Sequence, residues 1–242
     1  MTSFAELHVP GDPLVLPNAW DHASAATFAA AGFPAVGTTS LGVAAALGLP
    51  DGAAETAEAT VELVRRLTHL PVHITADIEN GFSTDPAEVA DYVARLGPVA
   101  GVNLEDQLAD PAAHARVIAA VDGVFVNARV DTYWLGRPSL EETLERAKAY
   151  VDAGADGIFV PGVSDEREIA ALAEAIPVPL NVLFGAIPVP RLAELGVARV
   201  STGSLLYRVA LGAAERTAAA VRDGGRGFDA PSYAAVDGLA RT

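Results

Sequence analysis

The stretch VHITADIENGF, residues 72–82, joins an apolar run to a pair of acids. Its first half is rich in apolar and β-branched residues, which is typical of a strand in a buried parallel sheet. Asp77 and Glu79 follow two positions apart, directly before a turn. Alternate residues of a strand share a face, so we expect both carboxylates to point the same way at the end of this strand.

Seven further runs of this kind alternate with alanine-rich stretches of helical period. The eight predicted strands are Leu14–Ala19, Ala35–Ser40, Val72–Ile78, Gly101–Asp106, Val124–Val130, Gly157–Gly162, Pro179–Phe184 and Ala198–Gly203. The predicted helices lie at about Ala23–Ala31, Ala54–His69, Pro86–Leu96, Pro111–Ala119, Ser139–Ala153, Asp165–Ala175, Val189–Leu195 and Leu205–Arg222. Eight strand-helix repeats in 242 residues predict an α/β fold of the (β/α)8 TIM barrel class.

A doubly wound open sheet is the alternative architecture for such a pattern. The first strand is not followed by G-x-G-x-x-G, and no Walker lysine motif is present, so the barrel is favoured. No linker or block of charge divides the chain. We therefore expect one TIM-barrel domain, residues 1–242, whose polar, glycine-rich tail from about residue 223 could pack on a neighbouring subunit.

The composition excludes several classes of function. The chain carries 31 acidic and 16 basic residues, a net charge of −15, which repels nucleic acids and anionic membrane surfaces. It has no cysteine, so disulfides, thiolate metal sites and cysteine nucleophiles are excluded. The run from Ala23 to Pro50 is free of charge, but glycine, proline and polar residues interrupt it, which argues against a membrane span. The first residues show no signal-peptide pattern, so we expect a cytoplasmic protein.

Polar residues end three neighbouring predicted strands, where a barrel places its active site. Strand alternation brings to this mouth Asp77 and Glu79, Asn103 and Glu105, and Asn127, Arg129 and Asp131. Carboxylates this close raise one another's pKa values unless a cation lies among them. Oxygen donors without cysteine favour Mg²⁺ or Mn²⁺ over zinc. Alternatively, these acids cap the following helices or pair with Arg129.

The few basic residues limit the chemistry. Lys148 is the only lysine and lies in a predicted outer helix, so a Schiff-base mechanism is excluded. Carbon-carbon chemistry would then need a metal to stabilise an enolate. Arg129 is the only basic residue predicted at the end of a strand, which suggests contact with a substrate carboxylate or an oxyanion. A structural ion pair with Asp131 or Glu105 is the alternative for Arg129.

Loops at the same end of the barrel offer further candidates. The segment TTSLGVAAALGLPDG, residues 38–52, is predicted to be a loop. Its backbone N–H groups at Ser40 and Leu41 could hold a carboxylate or a phosphoryl group, with Asp51 at the rim. Gly203-Ser204 could bind another anion or cap the last helix. His114 follows Glu105 closely enough to reach the mouth from a loop, which makes it a candidate proton donor.

Eight segments, taken in order and spacing, resemble a known group of enzymes. They are LPNAWD (16–21), GTTSLGVAAALGLPD (37–51), ADIENGF (76–82), GVNLED (101–106), NARVD (127–131), AGADGIFVPG (153–162), NVL (181–183) and RVSTG (199–203). In these segments the chain resembles the isocitrate lyase and phosphoenolpyruvate mutase superfamily. The resemblance implies a TIM barrel, often with its last helix exchanged between paired subunits, and a Mg²⁺-held α-oxo or α-hydroxy acid.

The resemblance also implies roles for single residues. Asp77 resembles the direct metal ligand, and Arg129 resembles the arginine that binds substrate oxygen and stabilises an enolate. The acids implied to hold metal-bound waters are Asp51, Glu79 and Glu105. The residues implied to contact the substrate are Thr39, Ser40 and Leu41, as a carboxylate cradle, and Asn181.

Two segments depart from the family pattern. Asp77-Ile78-Glu79 replaces the common Asp-x-Asp. The segment DQLADPAAHARV, residues 106–117, lacks the Lys-Cys-Gly-His gating motif of isocitrate and methylisocitrate lyases, whose cysteine supplies a proton. It also lacks the polar lid residues of phosphoenolpyruvate mutase and phosphonopyruvate hydrolase. The substrate-binding half of the site is therefore retained, and the half that transfers protons differs.

The sequence thus predicts a Mg²⁺-dependent lyase that cleaves a carbon-carbon bond of a small α-oxo or α-hydroxy (di)carboxylate through a metal-stabilised enolate. Oxaloacetate-like decarboxylation and retro-aldol cleavage both fit, with Arg129 and Glu105 as catalytic residues and water or His114 as the proton source. The alternatives are an enzyme acting on a phosphorus-carbon bond and a small-acid binding protein that has lost catalysis. A homodimer or homotetramer is expected.

Overall fold

The structure, a computed structural model, describes residues 2–241. Nine short parallel strands form its sheet: β1 (Leu14–Leu16), β2 (Asn18–Ala19), β3 (Ala35–Thr38), β4 (His73–Asp77), β5 (Gly101–Glu105), β6 (Phe125–Arg129), β7 (Gly157–Val160), β8 (Leu180–Leu183) and β9 (Arg199–Ser201). Strands β2 to β9 pair in chain order, and β1 pairs with β9. The sheet therefore closes into the predicted (β/α)8 barrel, and the open doubly wound sheet is excluded.

Pro17 explains why nine strands replace the eight predicted. It separates β1 from β2 within one predicted strand because proline has no N–H to donate to a sheet. Its carbonyl oxygen still accepts a hydrogen bond from Gly37 N at 2.9 Å. Asn18 completes the closure, since its side chain donates to Thr38 O at 2.7 Å and accepts from Gly203 N at 2.8 Å.

Ten helices accompany the strands in the described part of the chain. They are α1 (His22–Ala30), α2 (Ser40–Leu47), α3 (Ala57–Leu67), α4 (Pro86–Arg95), α5 (Pro111–Ala120), α6 (Leu140–Asp152), α7 (Glu166–Ala175), α8 (Val189–Glu194), α9 (Leu205–Arg222) and α10 (Tyr233–Gly238). Acidic side chains at the N-caps, such as Asp85 and Asp110, fix where several of them begin. No described helix is long and apolar enough to cross a membrane.

One segment differs from the sequence-based expectation, and the tail gains structure that the sequence did not predict. The segment 38–52, expected to be a loop, contains α2, which ends at the left-handed Gly48. The polar tail contains α10 and a 3-10 turn at Leu239–Arg241, and Leu239 packs against the apolar cluster that includes Ala25 and Ala26 of α1. The tail therefore folds back on its own barrel; Thr242 lies outside the described residues.

The strand faces divide the interior into two kinds of surface. Residues such as Ile74, Ala76, Val102 and Leu104 point outward and pack under the helices in apolar clusters. The opposite faces fill the barrel and carry the polar side chains. This alternation delivers Asp77, Glu105 and Arg129 to the carboxyl ends of neighbouring strands.

Candidate active site

A cavity of about 390 Å³ opens at the carboxyl ends of the strands. Its polar side consists of Asn18, Thr39, Ser40, Asp51, Asp77, Asn103, Glu105, Gln107, Arg129, Asp131, Ser201 and Ser204. Its apolar side consists of Leu41, Trp134, Leu135, Phe159, Pro161 and Leu183. A wider groove on the outer surface, along α3, is lined by exposed charged residues and by none of these strand-end groups. The cavity at the strand ends is therefore the candidate active site.

Asp77 ends β4 and is partly exposed in the cavity. Its Oδ2 accepts a hydrogen bond from Ser40 N at 3.1 Å, and its own N–H donates to Thr38 Oγ1 at 2.8 Å. Ser40 begins α2, so the positive end of a helix faces this carboxylate. Burial raises the pKa of Asp77, while the charge of Arg129 and the hydrogen bonds from Ser40 oppose that rise.

Arg129 lies between two carboxylates at the end of β6. Its Nη1 forms an ion pair with Glu105 Oε2, and its Nε lies 2.6 Å from Asp131 Oδ1. Burial lowers the pKa of Arg129, but the charges of Glu105, Asp131 and Asp77 outweigh burial and raise it overall. The ion pairs considered as an alternative role are thus formed, and Arg129 still lines the cavity.

Glu105 is buried and is the partner of Arg129 across the β5 and β6 register. Burial raises the pKa of Glu105 to about 7, Arg129 opposes that rise, and the charges of Asp77 and Asp131 add to it. Gln107 donates to Glu105 Oε1 at 2.9 Å, and its backbone N–H donates to Asp131 Oδ2 at 3.0 Å. Glu105 can therefore exchange a proton near neutral pH.

Glu79 does not share the cavity-facing side of Asp77. Strand β4 ends at Asp77, and Glu79 lies beyond it with a left-handed backbone, φ +50°. Its buried carboxylate accepts hydrogen bonds from Thr56 Oγ1 at 2.7 Å and from Ala54 N at 3.2 Å. The expectation that both acids face the mouth is wrong because strand alternation stops before Glu79. Its implied part in holding a metal-bound water stays a prediction.

The remaining predicted site residues are the substrate contacts Thr39, Ser40, Leu41 and Asn181 and the acid Asp51, which was implied to hold metal-bound water. Thr39, Ser40, Leu41 and Asp51 line the cavity, as the sequence suggested. Asn181 lies below the cavity floor and is fully buried; its amide donates to Ser201 Oγ at 3.1 Å. A ligand therefore meets Ser201 before it meets Asn181.

His114 lies in α5 and not in a loop at the mouth, so it is not placed to deliver a proton. It is buried with its ring edge-on to Tyr150, with 4.9 Å between ring centroids. The preceding segment is short because Asp110 and Pro111 begin α5 at once. The sequence-based suggestion of a loop position for His114 is wrong for that reason.

Arg199 is the group that sequence reasoning missed. It begins β9, is fully buried inside the barrel, and donates to Ser201 Oγ and to Asn103 Oδ1, each at 3.1 Å. Burial lowers the pKa of Arg199 to about 9, and the charge of Asp77 opposes that fall. In the sequence, Arg199 and Ser201 are two positions apart and therefore share one face of a strand. The prediction considered only residues at the carboxyl ends of the strands, and Arg199 lies at the start of β9.

Backbone conformations reserved for glycine gather around the cavity. Of the described residues other than glycine, five have positive φ: Ala54, Glu79, Phe82, Gln107 and Leu108. Glu79 and Phe82 follow β4, Gln107 and Leu108 follow β5, and Ala54 lies between α2 and α3, where its N–H contacts Glu79. Left-handed backbone costs about 1–2 kcal/mol for an L-residue, so such clustering is typical of functional loops.

The donor set suits Mg²⁺. Among the side chains of residues 2–241, no three acids or histidines converge closely enough to enclose an ion. In proteins, Mg²⁺ commonly keeps several of its waters and binds only one or two carboxylates. A site in which Asp77 is the single direct ligand and the other acids lie farther away is consistent with this coordination. The burial that raises the pKa values of Asp77 and Glu105 is the electrostatic cost that a bound cation would relieve.

Comparison with known proteins adds the family context. The phosphoenolpyruvate phosphomutase family matches residues 4–222. An uncharacterised protein of Mycobacterium tuberculosis strain H37Rv is 49% identical over 232 residues, covering 92% of this chain and 90% of the relative. The 2-methylisocitrate lyase of Salmonella typhimurium is 31% identical, covering 81% and 78%. The crystal structure of a Burkholderia cenocepacia J2315 protein that is provisionally classed as a lyase/mutase has a TM-score of 0.90 and 33% sequence identity. The match covers 99% of this chain and 95% of that one.

Proposed function

Because the chain belongs to the isocitrate lyase and phosphoenolpyruvate mutase superfamily, whose members include lyases, we propose that it is a Mg²⁺-dependent carbon-carbon lyase. Its substrate is a small α-oxo or α-hydroxy acid. The observation that carries the proposal is the arrangement of Asp77, Glu105 and Arg129 around one cavity that the N-terminus of α2 also faces. That arrangement joins a cation site, an acid-base group and an anion-binding group.

Each of these groups has a defined task in the proposed reaction. The backbone N–H groups at Ser40 and Leu41 hold the substrate carboxylate. Asp77 would ligate Mg²⁺ directly, and Asp51, Glu79 and Glu105 would hold its waters. The bound ion would act as a Lewis acid that polarises a substrate oxygen. Glu105, which lies in the cavity paired with Arg129, accepts the proton that a substrate hydroxyl gives up as the carbon-carbon bond breaks.

Arg129 acts in the step in which the carbon-carbon bond of the substrate breaks. The electron pair of the cleaved carbon-carbon bond remains on one fragment as an enolate, and the other fragment leaves as a carbonyl compound or as CO2. The guanidinium stabilises the negative charge on the enolate oxygen. A proton completes the product. With no cysteine in the chain and His114 buried behind β5, water is the proton source that the cavity can admit.

The proposal is tested by assaying the purified protein with oxaloacetate, 2-methylisocitrate, the monocarboxylic 4-hydroxy-2-oxopentanoate and phosphonopyruvate, in Mg²⁺ and in EDTA. We expect cleavage of a carbon-carbon bond that EDTA abolishes. Asp77→Ala should lower kcat/KM by about 10³-fold or more because the cation site is lost. Asp91→Ala, which removes an exposed acid from α4, should have no effect.

Other results would identify the alternatives. Turnover of phosphonopyruvate alone would assign the protein to phosphorus-carbon chemistry. Stabilisation by oxalate that needs Mg²⁺, with no turnover of any acid, would support a binding protein. Cleavage that continues in EDTA, or in Asp77→Ala at the original rate, would contradict the proposed mechanism.

A further inference from the structure

One side of the cavity is apolar, and it begins at the segment that follows β6. Trp134 and Leu135 line the opening, and they are 52% and 50% exposed. Phe159 of β7 and Leu183 of β8 continue this surface into the cavity. We call these four residues the apolar wall. Large apolar side chains exposed together at a cavity mark a place where an apolar group binds.

The cavity is poor in cationic groups. Arg129 is the only cationic residue among the described residues that line it, against four acids, Asp51, Asp77, Glu105 and Asp131. Two of its three guanidinium nitrogens are already paired with carboxylates. A second carboxylate on the substrate would therefore find no free cationic side chain and would be repelled by the acids, since an unpaired charge is costly to bury.

The apolar wall lies beside the group that binds substrate oxygen. The guanidinium carbon of Arg129 is 5.5 Å from the ring centroid of Trp134 and 6.0 Å from that of Phe159. A ligand whose oxygen contacts Arg129 therefore places its next substituent against these rings. The volume of about 390 Å³ falls in the range of about 300–1,000 Å³ that accommodates ligands much larger than oxalate.

We infer that the substrate is a monocarboxylic 4-hydroxy-2-oxo acid whose substituent beyond the hydroxyl-bearing carbon is apolar and packs on the apolar wall. Retro-aldol cleavage between C3 and C4 leaves the 2-oxo acid fragment as the enolate and releases the apolar fragment as an aldehyde, after the hydroxyl has given up its proton. This inference rests on the proposed function and deepens it, because it specifies the group beyond the acid head. Substrates with two or three carboxylates, such as the one named for the 2-methylisocitrate lyase relative, are disfavoured here.

A pair of stable acids of equal shape tests the inference. In 5-methyl-2-oxohexanoate an isopropyl group replaces the second carboxylate of 2-oxoglutarate, and the 2-oxo acid head is unchanged. Dissociation constants of both acids, and of oxalate as the head alone, are measured by calorimetry in Mg²⁺. We expect the branched acid to bind at least tenfold more tightly than 2-oxoglutarate.

Variants of the apolar wall give the matching contrast. Leu135→Arg supplies the missing cation at an exposed position and should reverse the preference in favour of 2-oxoglutarate. Val9→Arg adds the same charge at a 45% exposed residue at the other end of the barrel and should keep the wild-type preference. Trp134→Ala should weaken the branched acid by about three- to tenfold, and oxalate affinity should change little in all three.

Two results would overturn the inference, and they are distinguishable. If oxalate binds with Mg²⁺ but 2-oxoglutarate binds as tightly as the branched acid, the wall is not a substrate surface and the proposed lyase function stands. If oxalate does not bind in Mg²⁺, the proposed function itself fails and the inference fails with it. Should Leu135→Arg not fold, Trp134→Ala with the two acids decides the question alone.

Discussion

His8 shows how a single buried residue sets a response to pH. It closes the amino-terminal end of the barrel, with its ring stacked on Phe125 at a centroid distance of 4.5 Å and its Nδ1 2.9 Å from Phe4 O. Burial, with a smaller contribution from the charge of Arg199, lowers the pKa of His8 to about 4. Folding therefore favours the neutral ring over the protonated one.

We expect this histidine to make the fold sensitive to acid. The unfolded chain binds a proton near pH 6.5 and the folded chain only near pH 4, so His8 stabilises the fold fully above pH 6.5, and this stabilisation is lost as the pH falls through 4. The loss amounts to about 2–3 kcal/mol. Urea unfolding at pH 7 and pH 4 should show it in the wild type and not in His8→Phe, which keeps the stacked ring. Equal pH dependence in both proteins would contradict the assignment.

Prediction at the residue scale succeeded where a residue lies within a regular strand. Asp77, Glu105 and Arg129 are brought together because strand alternation applies to each of them. Prediction failed for Glu79, because β4 ends at Asp77 and the backbone is left-handed at Glu79, two residues later. It also failed for Arg199, whose position inside the barrel depends on how the sheet closes. The spacing of apolar residues along the chain predicts neither the backbone angles of a local turn nor the register between strands that are distant in sequence.

Elements are joined by a buried carboxylate behind the site. Asp106 Oδ2 accepts hydrogen bonds from Tyr150 Oη at 2.7 Å and from Arg146 Nη1 at 3.1 Å, both on α6. Its Oδ1 accepts from the backbone N–H groups of Leu108 and Asp131. One side chain thus fixes the end of β5 to α6 and to the loop after β6.

Removing this junction should cost much more than removing one of its donors. We expect Asp106→Asn to lower the free energy of unfolding by about 3 kcal/mol, because Arg146 loses its buried partner. Tyr150→Phe should cost only about 1 kcal/mol, since three donors remain. Tyr233→Phe, at an 89% exposed position, is the control for loss of a hydroxyl. Denaturant unfolding measures all three, and equal effects for Asp106→Asn and Tyr150→Phe would refute the network.

Element prediction was accurate for most helices. The observed bounds of seven of the eight predicted helices agree with the sequence-based ranges to within one residue, and the exception is α3, which was predicted over 54–69 and spans Ala57–Leu67. Proline and aspartate mark the starts of α4 and α5, and helical period alone marks α9. Helix α2 was missed because glycine and a uniformly apolar composition gave it no amphipathic period. The split of the first strand could have been predicted, since Pro17 has no N–H to donate to a sheet, but the predicted strand ran through this residue.

At the scale of the whole molecule, α9 is a long helix that the described chain leaves largely uncovered, although it contacts β2 and packs Tyr207 on Trp20. Only Tyr207 of its 18 residues is buried, and Val209, Leu211 and Val221 are each more than half exposed. A helix with an apolar surface of this kind is favoured when it packs against another surface. We propose that a second copy of the chain supplies that surface.

Oligomerisation through α9 is directly measurable. We expect light scattering after gel filtration to give the mass of a homodimer or homotetramer. Leu211→Lys should shift the protein toward monomer, because it places a charge in an apolar contact. Leu47→Lys, at the end of α2 and equally exposed at 54%, should leave the mass unchanged. A wild-type monomer at micromolar concentration would rule out this assembly.

The placement of the two tryptophans has an optical consequence. Trp20 is held against Tyr207, with 5.3 Å between the ring centroids, whereas Trp134 stands at the open rim next to a guanidinium. The indole at the rim is thus the one whose hydration changes when the cavity fills. Emission from a Trp20→Phe protein would follow occupancy without any added dye, so unknown acids could be screened by fluorescence before their turnover is measured.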